Sequence, residues 1–218
     1  MINYEIKNER VLALLEEYRK LLLDDYDITK TAMLFGRDAS AELWCSEEHR
    51  LEIMNAGKDH EGFPLRSKSY PVKPKMHVDE EGHAFEVVHN GFYEKFTNLD
   101  EKFKQELGIR DNVLSQLYPP EGFISWHNNA NAPGHNLIFT WSETGDGWFK
   151  FVDKYGEVIT LQDKKGWTLK AGYFGSYEDE QTCYHAAYTK CWRITQSFIV
   201  SVDDKDFWKD CLDYIQGE

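Results

Sequence analysis

The stretch YPPEGFISWHNNANAPGHN, residues 118–136, decides how this sequence is interpreted. Two turn signals, PPEG and NAPG, bracket the short apolar run FISWH. Gly, Pro and Asn favour turns, and a short apolar run between turns is typical of a buried strand. His127 closes that run, so the sequence predicts an imidazole at the end of a strand.

Eight runs of this kind follow one another from residue 112 onward. They read NVLSQLY, FISWH, NLIFTWS, WFKFVD, EVITLQ, GWTLKAGYF, YHAAY and WRITQSFIVSV, and turns such as ETGDG, KYG and KKG separate them. Short, often alternating strands with turns between them are typical of antiparallel jelly rolls. We therefore predict a mainly β (α+β) protein: a double-stranded β-helix (jelly roll, cupin-like) core with flanking N- and C-terminal helices.

Three segments have helical periodicity. Residues 8–23 form an amphipathic pattern with Asn8 as N-cap, and residues 203–216 carry an apolar stripe that predicts a final helix. Residues 93–107 predict a helix with Thr97 or Asn98 as its cap and Gly108 as its stop. Residues 24–88 predict loops with short strands. We divide the chain into a helical and irregular region, 1–90, that packs on the core, and a double-stranded β-helix domain with the C-terminal helix, 91–218.

Composition narrows the classes of partner. The chain has 218 residues and a net charge of −13, from 38 acidic and 25 basic residues, which disfavours nucleic acid as a ligand. A small-molecule or protein substrate is expected instead. The four cysteines form no CxxC pair, and the sequence has neither a signal peptide nor an apolar run long enough for a membrane span. A cytoplasmic protein with reduced thiols is the simplest interpretation.

Four residues in the strand-rich half are candidates for one site. His127 and His185 lie 58 positions apart, yet a jelly roll can bring the ends of such strands together. Arg193 and Thr195 are two positions apart in a strand, so they share a face and can bind one carboxylate together. Arg193 stands in the apolar run CWRITQSFIV, and a buried guanidinium requires an anionic partner.

The order of these motifs resembles the 2-oxoglutarate/Fe(II)-dependent dioxygenases, in particular their prolyl-4-hydroxylase-like branch. The matching stretches are YPPEGFISWHNN, GDGWFKF, KKGWTLKAGYF, YHAAY and WRITQSF, which together cover about residues 112–202. In that family a Tyr precedes the first iron-binding His by nine positions, as Tyr118 precedes His127. The resemblance implies Fe(II) on His127, Asn129 and His185, and 2-oxoglutarate on Arg193, Thr195 and Tyr118, with ascorbate as an assisting reductant.

The sequence departs from the family at one position. The family pattern is His-x-Asp, and here it is His127-Asn128-Asn129. Three alternatives follow: the amide oxygen of Asn129 is a weaker third ligand, the carboxylate comes from elsewhere or is absent, or the site is inactive. We favour the first. A literal His-x-Asp occurs at residues 77–79, with His83 and His89 nearby. Its surroundings, KPKMHVDEEGH, lack the upstream tyrosine and precede the strand-rich half, which favours a solvated turn, but it is the best candidate for a carboxylate supplied from elsewhere.

The resemblance implies hydroxylation of an unactivated C–H bond in a peptidyl, amino-acid or other small substrate, with release of succinate and CO2. The main alternative is a catalytically impaired module that keeps the fold for binding or for structure. Halogenation ranks lower, because Asn is bulkier than the small residue that makes room for a halide. Nucleobase oxidation ranks lower because of the charge of −13.

Overall fold

The computed structural model describes residues 1–31, 34–72, 76–78, 84–86, 91–109, 111–129, 132–177, 182–201 and 203–218. For residues 31, 76–78, 84–86 and 111 it describes the backbone alone.

Two antiparallel sheets form the centre of the described chain. The eight expected runs become β6 (Asp111–Tyr118), β7 (Gly122–His127), β8 (Gly134–Ser142), β9 (Gly147–Val152), β10 (Val158–Gln162), β11 (Gly166–Phe174), β12 (His185–Thr189) and β13 (Arg193–Val200). The N-terminal part adds β1 (Ile2–Tyr4), β2 (Ser67–Lys68) and β3 (Tyr70–Pro71). The larger sheet has the order β1-β11-β8-β13-β6-β3, and the smaller has the order β10-β9-β12-β7-β2. This is the predicted double-stranded β-helix.

Helices flank the sheets. They are α1 (Glu9–Lys20), which continues as one π-helical turn (Leu21–Asp25), α2 (Ile28–Thr31), α3 (Ala41–Trp44), α4 (Glu47–Ala56), α5 (Phe92–Leu107) and α6 (Lys205–Gln216). A short 3-10 turn, Gly57–Asp59, follows α4. None of the helices in the described ranges is long and apolar enough to cross a bilayer.

The outer face of the larger sheet packs on α1, α5 and α6. Side chains that alternate along the strands, such as Leu117, Phe139 and Ile194, are buried there with Phe103 of α5 and Ile215 of α6. The opposite face of that sheet meets the smaller sheet, because successive side chains of a strand point to opposite faces. A second apolar cluster fills this space between the sheets.

Two local expectations were wrong. Helix α5 begins at Phe92 after Gly91, so Thr97 and Asn98 lie inside the helix rather than at its cap. Gly108 does end the helix, with φ of 68°, a left-handed conformation that glycine adopts at little cost. Residues 24–88 were expected to be loops with short strands, yet they include the ten-residue helix α4, capped by the hydroxyl of Ser46.

The N-terminal region contributes strands to both sheets. β1 pairs with β11, β3 pairs with β6, and β2 pairs with β7. The division at residue 90 remains a prediction. Within the literal His-x-Asp, His77 lies in β4 (Met76–Val78), which pairs with β5 (Ala84–Glu86) in a separate two-stranded sheet. Asp79, His83 and His89 lie outside the described residues.

Candidate active site between the sheets

The strand register places the candidate residues on the inner face of the larger sheet. Arg193 pairs with Tyr118 on one side and with Ser142 on the other, and Thr195 pairs with Thr140. Lys170 of β11 pairs with Ile138 of β8, which is four residues along that strand from Ser142, the partner of Arg193, and so on the same face. Residues an even number of positions apart share a face, so these side chains all point toward the smaller sheet.

His127 and His185 lie side by side on the smaller sheet. They are register partners of β7 and β12, and their ring centroids are 4.1 Å apart. Both residues are about 5% exposed or less. The rings of Phe149 and Phe174 flank His185 at 5.5 and 4.6 Å. The two imidazoles therefore meet in an aromatic, nearly water-free part of the space between the sheets.

A β-bulge produces this pairing. Ala187 pairs with Ile124, and His185 pairs with His127, so three steps along β7 correspond to two steps along β12. The extra residue in β7 changes the side to which later residues point. Ile124 belongs to the cluster between the sheets and Trp126 to the outer cluster. In a regular strand His127, three positions after Ile124, would point away from the space between the sheets. The bulge turns it back, so that it faces His185.

The ring nitrogens of the two histidines have matching partners. Nδ1 of His127 lies 2.8 Å from the carbonyl of Ser125, and Nδ1 of His185 lies 2.8 Å from the carbonyl of Cys183. A carbonyl can only accept, so each Nδ1 donates and each Nε2 carries a lone pair. Burial lowers the pKa of His127 to about 4 and lowers that of His185 well below its usual value, with the mutual repulsion of the rings adding to the latter. Both rings are neutral near pH 7, the form that binds metals.

Asn129 follows directly after this strand. Its side chain forms a hydrogen bond with the His127 imidazole, which opposes the fall in the pKa of that ring. Its backbone has φ of 57°, a left-handed conformation in which Asn and Asp are enriched. Asn128 turns the other way, where its amide donates to the Tyr177 hydroxyl at 2.7 Å. Asn129 is thus the asparagine that lies beside the imidazole pair.

Arg193 is buried, with 2% of its surface exposed. Its Nε donates to Oδ2 of Asp163 at 2.9 Å, and its Nη1 donates to the Thr195 hydroxyl at 2.7 Å. Its Nη2 lies 3.4 Å from the Thr140 hydroxyl. The guanidinium also lies over the Tyr118 ring, 5.5 Å from the centroid. The chain itself therefore supplies an anionic partner for this buried guanidinium: Asp163, which binds its Nε.

Sequence reasoning missed Asp163 and Lys170. Asp163 lies in the turn between β10 and β11, within LQDKKGW, and so it has the pattern of a solvated turn residue. In the structure its other oxygen accepts from Nζ of Lys170 at 2.7 Å. Burial raises the pKa of Asp163, but the charges of Arg193 and Lys170 outweigh it and leave that pKa lowered. The signal available in the sequence was Lys170 itself, a cation on the inward face of the apolar strand GWTLKAGYF.

Tyr118 supports the guanidinium through its ring. Its hydroxyl donates to Oε1 of Gln116, two positions earlier on the same face. Burial raises the pKa of Tyr118 to about 12, although Arg193 opposes this. The hydroxyl therefore stays protonated at neutral pH.

The donor set beside the imidazoles fits a divalent metal in part. Two neutral imidazoles whose Nε2 atoms carry lone pairs, with an adjacent amide, are ligand types that iron, zinc and copper accept. Among the residues the structure describes, no third His, Cys, Asp or Glu joins the pair to form a larger metal-binding group. Asp79, the carboxylate of the literal His-x-Asp, lies outside the described residues. The donor beside the pair is the Asn129 amide.

No protein-family model matches this sequence. A search of curated proteins also finds no match. Among solved structures, the chain is similar to a Pseudomonas putida prolyl-4-hydroxylase, with 13% identity over 92% of this chain and 91% of that chain and a TM-score of 0.43. It is also similar to a prolyl hydroxylase from Trichoplax adhaerens in complex with a hypoxia inducible factor peptide fragment, with 10% identity over 88% and 93% and a TM-score of 0.35.

A third solved structure is a predicted oxalate decarboxylase from Thermotoga maritima. It has 13% identity, covers 60% of this chain and 94% of that chain, and has a TM-score of 0.27. The assignment of the double-stranded β-helix rests on the strand order and register of the chain itself.

Proposed function

We propose that the protein is a 2-oxoglutarate- and Fe(II)-dependent oxygenase that hydroxylates an unactivated C–H bond. The observation that carries the proposal is the pair of buried, neutral imidazoles of His127 and His185, 4.1 Å apart at their centroids. Two buried, neutral histidines this close, each with its Nδ1 on a backbone carbonyl, support a role as two ligands of one metal. The order of motifs from Tyr118 to Arg193 along the sequence also supports the proposed oxygenase.

The chain would supply the metal ligands, the groups that orient them and the donors for a carboxylate. His127 and His185 would hold Fe(II) through Nε2, and the Asn129 amide would be the third protein ligand. The backbone carbonyls of Ser125 and Cys183 fix the rings in one tautomer. Arg193 and Thr195 would bind the far carboxylate of 2-oxoglutarate, while the Tyr118 ring supports the guanidinium.

Bound Fe(II) would supply the activation of oxygen. One oxygen atom would enter succinate as 2-oxoglutarate loses CO2, and the other would enter the hydroxylated product. The protein's own part is positioning and exclusion of water, to which Phe149 and Phe174 contribute by covering His185. A peptidyl or amino-acid side chain, or another small molecule, is the proposed substrate class. The net charge of −13 disfavours a nucleic-acid strand.

The site and the metal can be tested without knowing the substrate. Protein purified without oxygen would be titrated with Fe(II), and succinate release would be measured after addition of 2-oxoglutarate, ascorbate and air. His185→Ala is expected to abolish metal binding with an unchanged circular dichroism spectrum. His135→Ala is the matched control, because His135 stacks on Trp208 of α6, 4.7 Å between centroids, on the outer face of the larger sheet. Equal metal affinity in both variants would reject the proposed metal site.

A second candidate is a binding module without turnover. Two observations favour it: Asn129 stands where the family has a carboxylate, and Asp163 already binds Nε of Arg193. Such a module would bind 2-oxoglutarate and release no succinate. Succinate release would exclude it, and binding of 2-oxoglutarate by a protein that does not bind Fe(II) would establish it over the oxygenase.

A further inference from the structure

A cluster of three charged side chains is buried between the sheets. Asp163 accepts from Lys170 with one oxygen, at 2.7 Å, and from Arg193 with the other, at 2.9 Å. The side chains of Lys170 and Asp163 are fully buried, and that of Arg193 is 2% exposed. Asp163 is in turn fixed by Gly147, whose carbonyl accepts from the Asp163 backbone N–H and whose Cα leaves no room for a Cβ.

The cluster has more donors than acceptors. A guanidinium has five N–H groups, of which Arg193 uses one toward Asp163, one toward Thr195 and one toward Thr140. An ammonium has three, of which Lys170 uses one toward Asp163. Within the described ranges, two N–H groups on each cation therefore have no protein acceptor. Buried donors without acceptors are costly, so these N–H groups are available for a further acceptor.

The charges are also unequal. Two cations face one carboxylate, so the cluster carries one net positive charge when Lys170 is protonated. Burial and the repulsion of Arg193 lower the pKa of Lys170 to about 8, against the attraction of Asp163. One additional carboxylate would balance the charge and would supply two acceptor oxygens.

Strand β12 relates the cluster to the imidazole pair. His185 pairs with Phe151, and Thr189, four positions later in β12, pairs with Gly147. Gly147 is the residue against which Asp163 packs, so the two groups are about 13 Å apart along the strand, at roughly 3.3 Å per residue. Tyr118, Phe149 and Phe174, which contact Arg193 or His185, belong to one apolar cluster.

We propose that Lys170 is a second anchoring cation for the far carboxylate of a dicarboxylic acid, and that Asp163 is the buried bridge that holds Lys170 and Arg193 together. The inference rests on the proposed function for the identity of the ligand as the cosubstrate. The carboxylate site itself requires neither a metal nor turnover. Asp163 fixes the Nε edge of Arg193, which leaves N–H groups on both terminal nitrogens for a planar carboxylate.

The test uses glutarate, a five-carbon dicarboxylate that lacks the keto oxygen, and glutaramide, its neutral analogue. Both would be titrated calorimetrically into the metal-free full-length protein at pH 7. Glutarate is expected to bind, and glutaramide is expected to bind at least about tenfold more weakly. Lys170→Met should weaken glutarate binding by about ten- to hundredfold, the usual loss for one charge-assisted hydrogen bond. Lys170→Arg keeps the charge and should retain most of the affinity.

Lys164→Met is the matched control. Lys164 follows Asp163 in the same turn and is exposed, so its substitution removes the same charge without touching the cluster. Unchanged glutarate affinity in Lys170→Met, or equal binding of glutaramide, would overturn the inference. Glutarate selectivity in a protein that does not bind Fe(II) in the metal assay would overturn the oxygenase and leave the carboxylate site standing. Turnover of 2-oxoglutarate at the normal KM in Lys170→Met would reject the role of Lys170 and leave the oxygenase standing.

Discussion

Asn129 has two separate reasons to be an asparagine. Its left-handed backbone, with φ of 57°, favours Asn, Asp or Gly, and its amide lies beside the His127 ring. An aspartate satisfies the backbone as well as asparagine does and adds a negative charge at the same place. The substitution therefore separates the conformational reason from the chemical one.

We expect Asn129→Asp to tighten metal binding by about tenfold or more, because ligand charge raises the affinity for a divalent cation. The measurement is an anaerobic calorimetric titration with Fe(II). Asn98→Asp adds the same charge on the exposed face of α5 and should leave the affinity unchanged. Equal affinity in wild type and Asn129→Asp would show that residue 129 does not face the metal.

Lys170 gives the carboxylate site a pH dependence. Its pKa is lowered to about 8, so it is mostly protonated at pH 7 and mostly neutral at pH 9. Glutarate affinity should therefore fall as the pH rises through 8. Cys191, whose pKa is lowered to about 7 by hydrogen bonds that outweigh its burial, titrates in the same range. Lys170→Met separates the two groups, because a fall that persists in this variant would have to come from a group other than Lys170.

Among the elements, the turn between β10 and β11 has an importance that its sequence does not show. Through Asp163 this turn is bound to β11 by Lys170 and to β13 by Arg193, so it connects strands of the larger sheet to the edge of the smaller one. A buried carboxylate that two cations share is difficult to replace, because its loss leaves both cations unpaired.

Asp163→Asn is expected to lower the free energy of unfolding by about 3–5 kcal/mol, the usual cost of removing one partner from a buried ion pair. Urea unfolding followed by circular dichroism would measure it. Asp210→Asn, at an exposed position of α6, should change stability by less than about 0.5 kcal/mol. Similar stability in the two variants would contradict the bridging role of Asp163.

The whole molecule is held together by the contact between the helices and the outer face of the larger sheet. Phe103 of α5 is completely buried and stacks on Phe198 of β13 at 4.9 Å between centroids. It also meets Phe139 of β8 at 5.1 Å and Tyr18 of α1 at 5.8 Å. One ring thus joins two helices to two central strands.

Phe103→Ala should therefore cost about 3–5 kcal/mol of stability, the range for a buried phenylalanine replaced by alanine. Phe63→Ala provides the control, since Phe63 is 68% exposed and its loss opens no cavity. Thermal unfolding would compare the two variants. A small effect at position 103 would mean that α5 contributes little to the stability of the sheet.

The candidate ligands follow from the order of motifs along the chain and remain a prediction. The sequence alone predicts the eight central strands and the outer helices, because strand alternation, helical periodicity and turn residues are local signals. It misplaced the start of α5 and missed α4, where Ser46 is a weak local signal within an irregular region. The tertiary structure alone decided that a bulge in β7 turns His127 toward His185. It also decided that Asp163, from a polar turn, is buried between Arg193 and Lys170. Register and charge pairing join residues that are distant in the chain, so no local pattern encodes them.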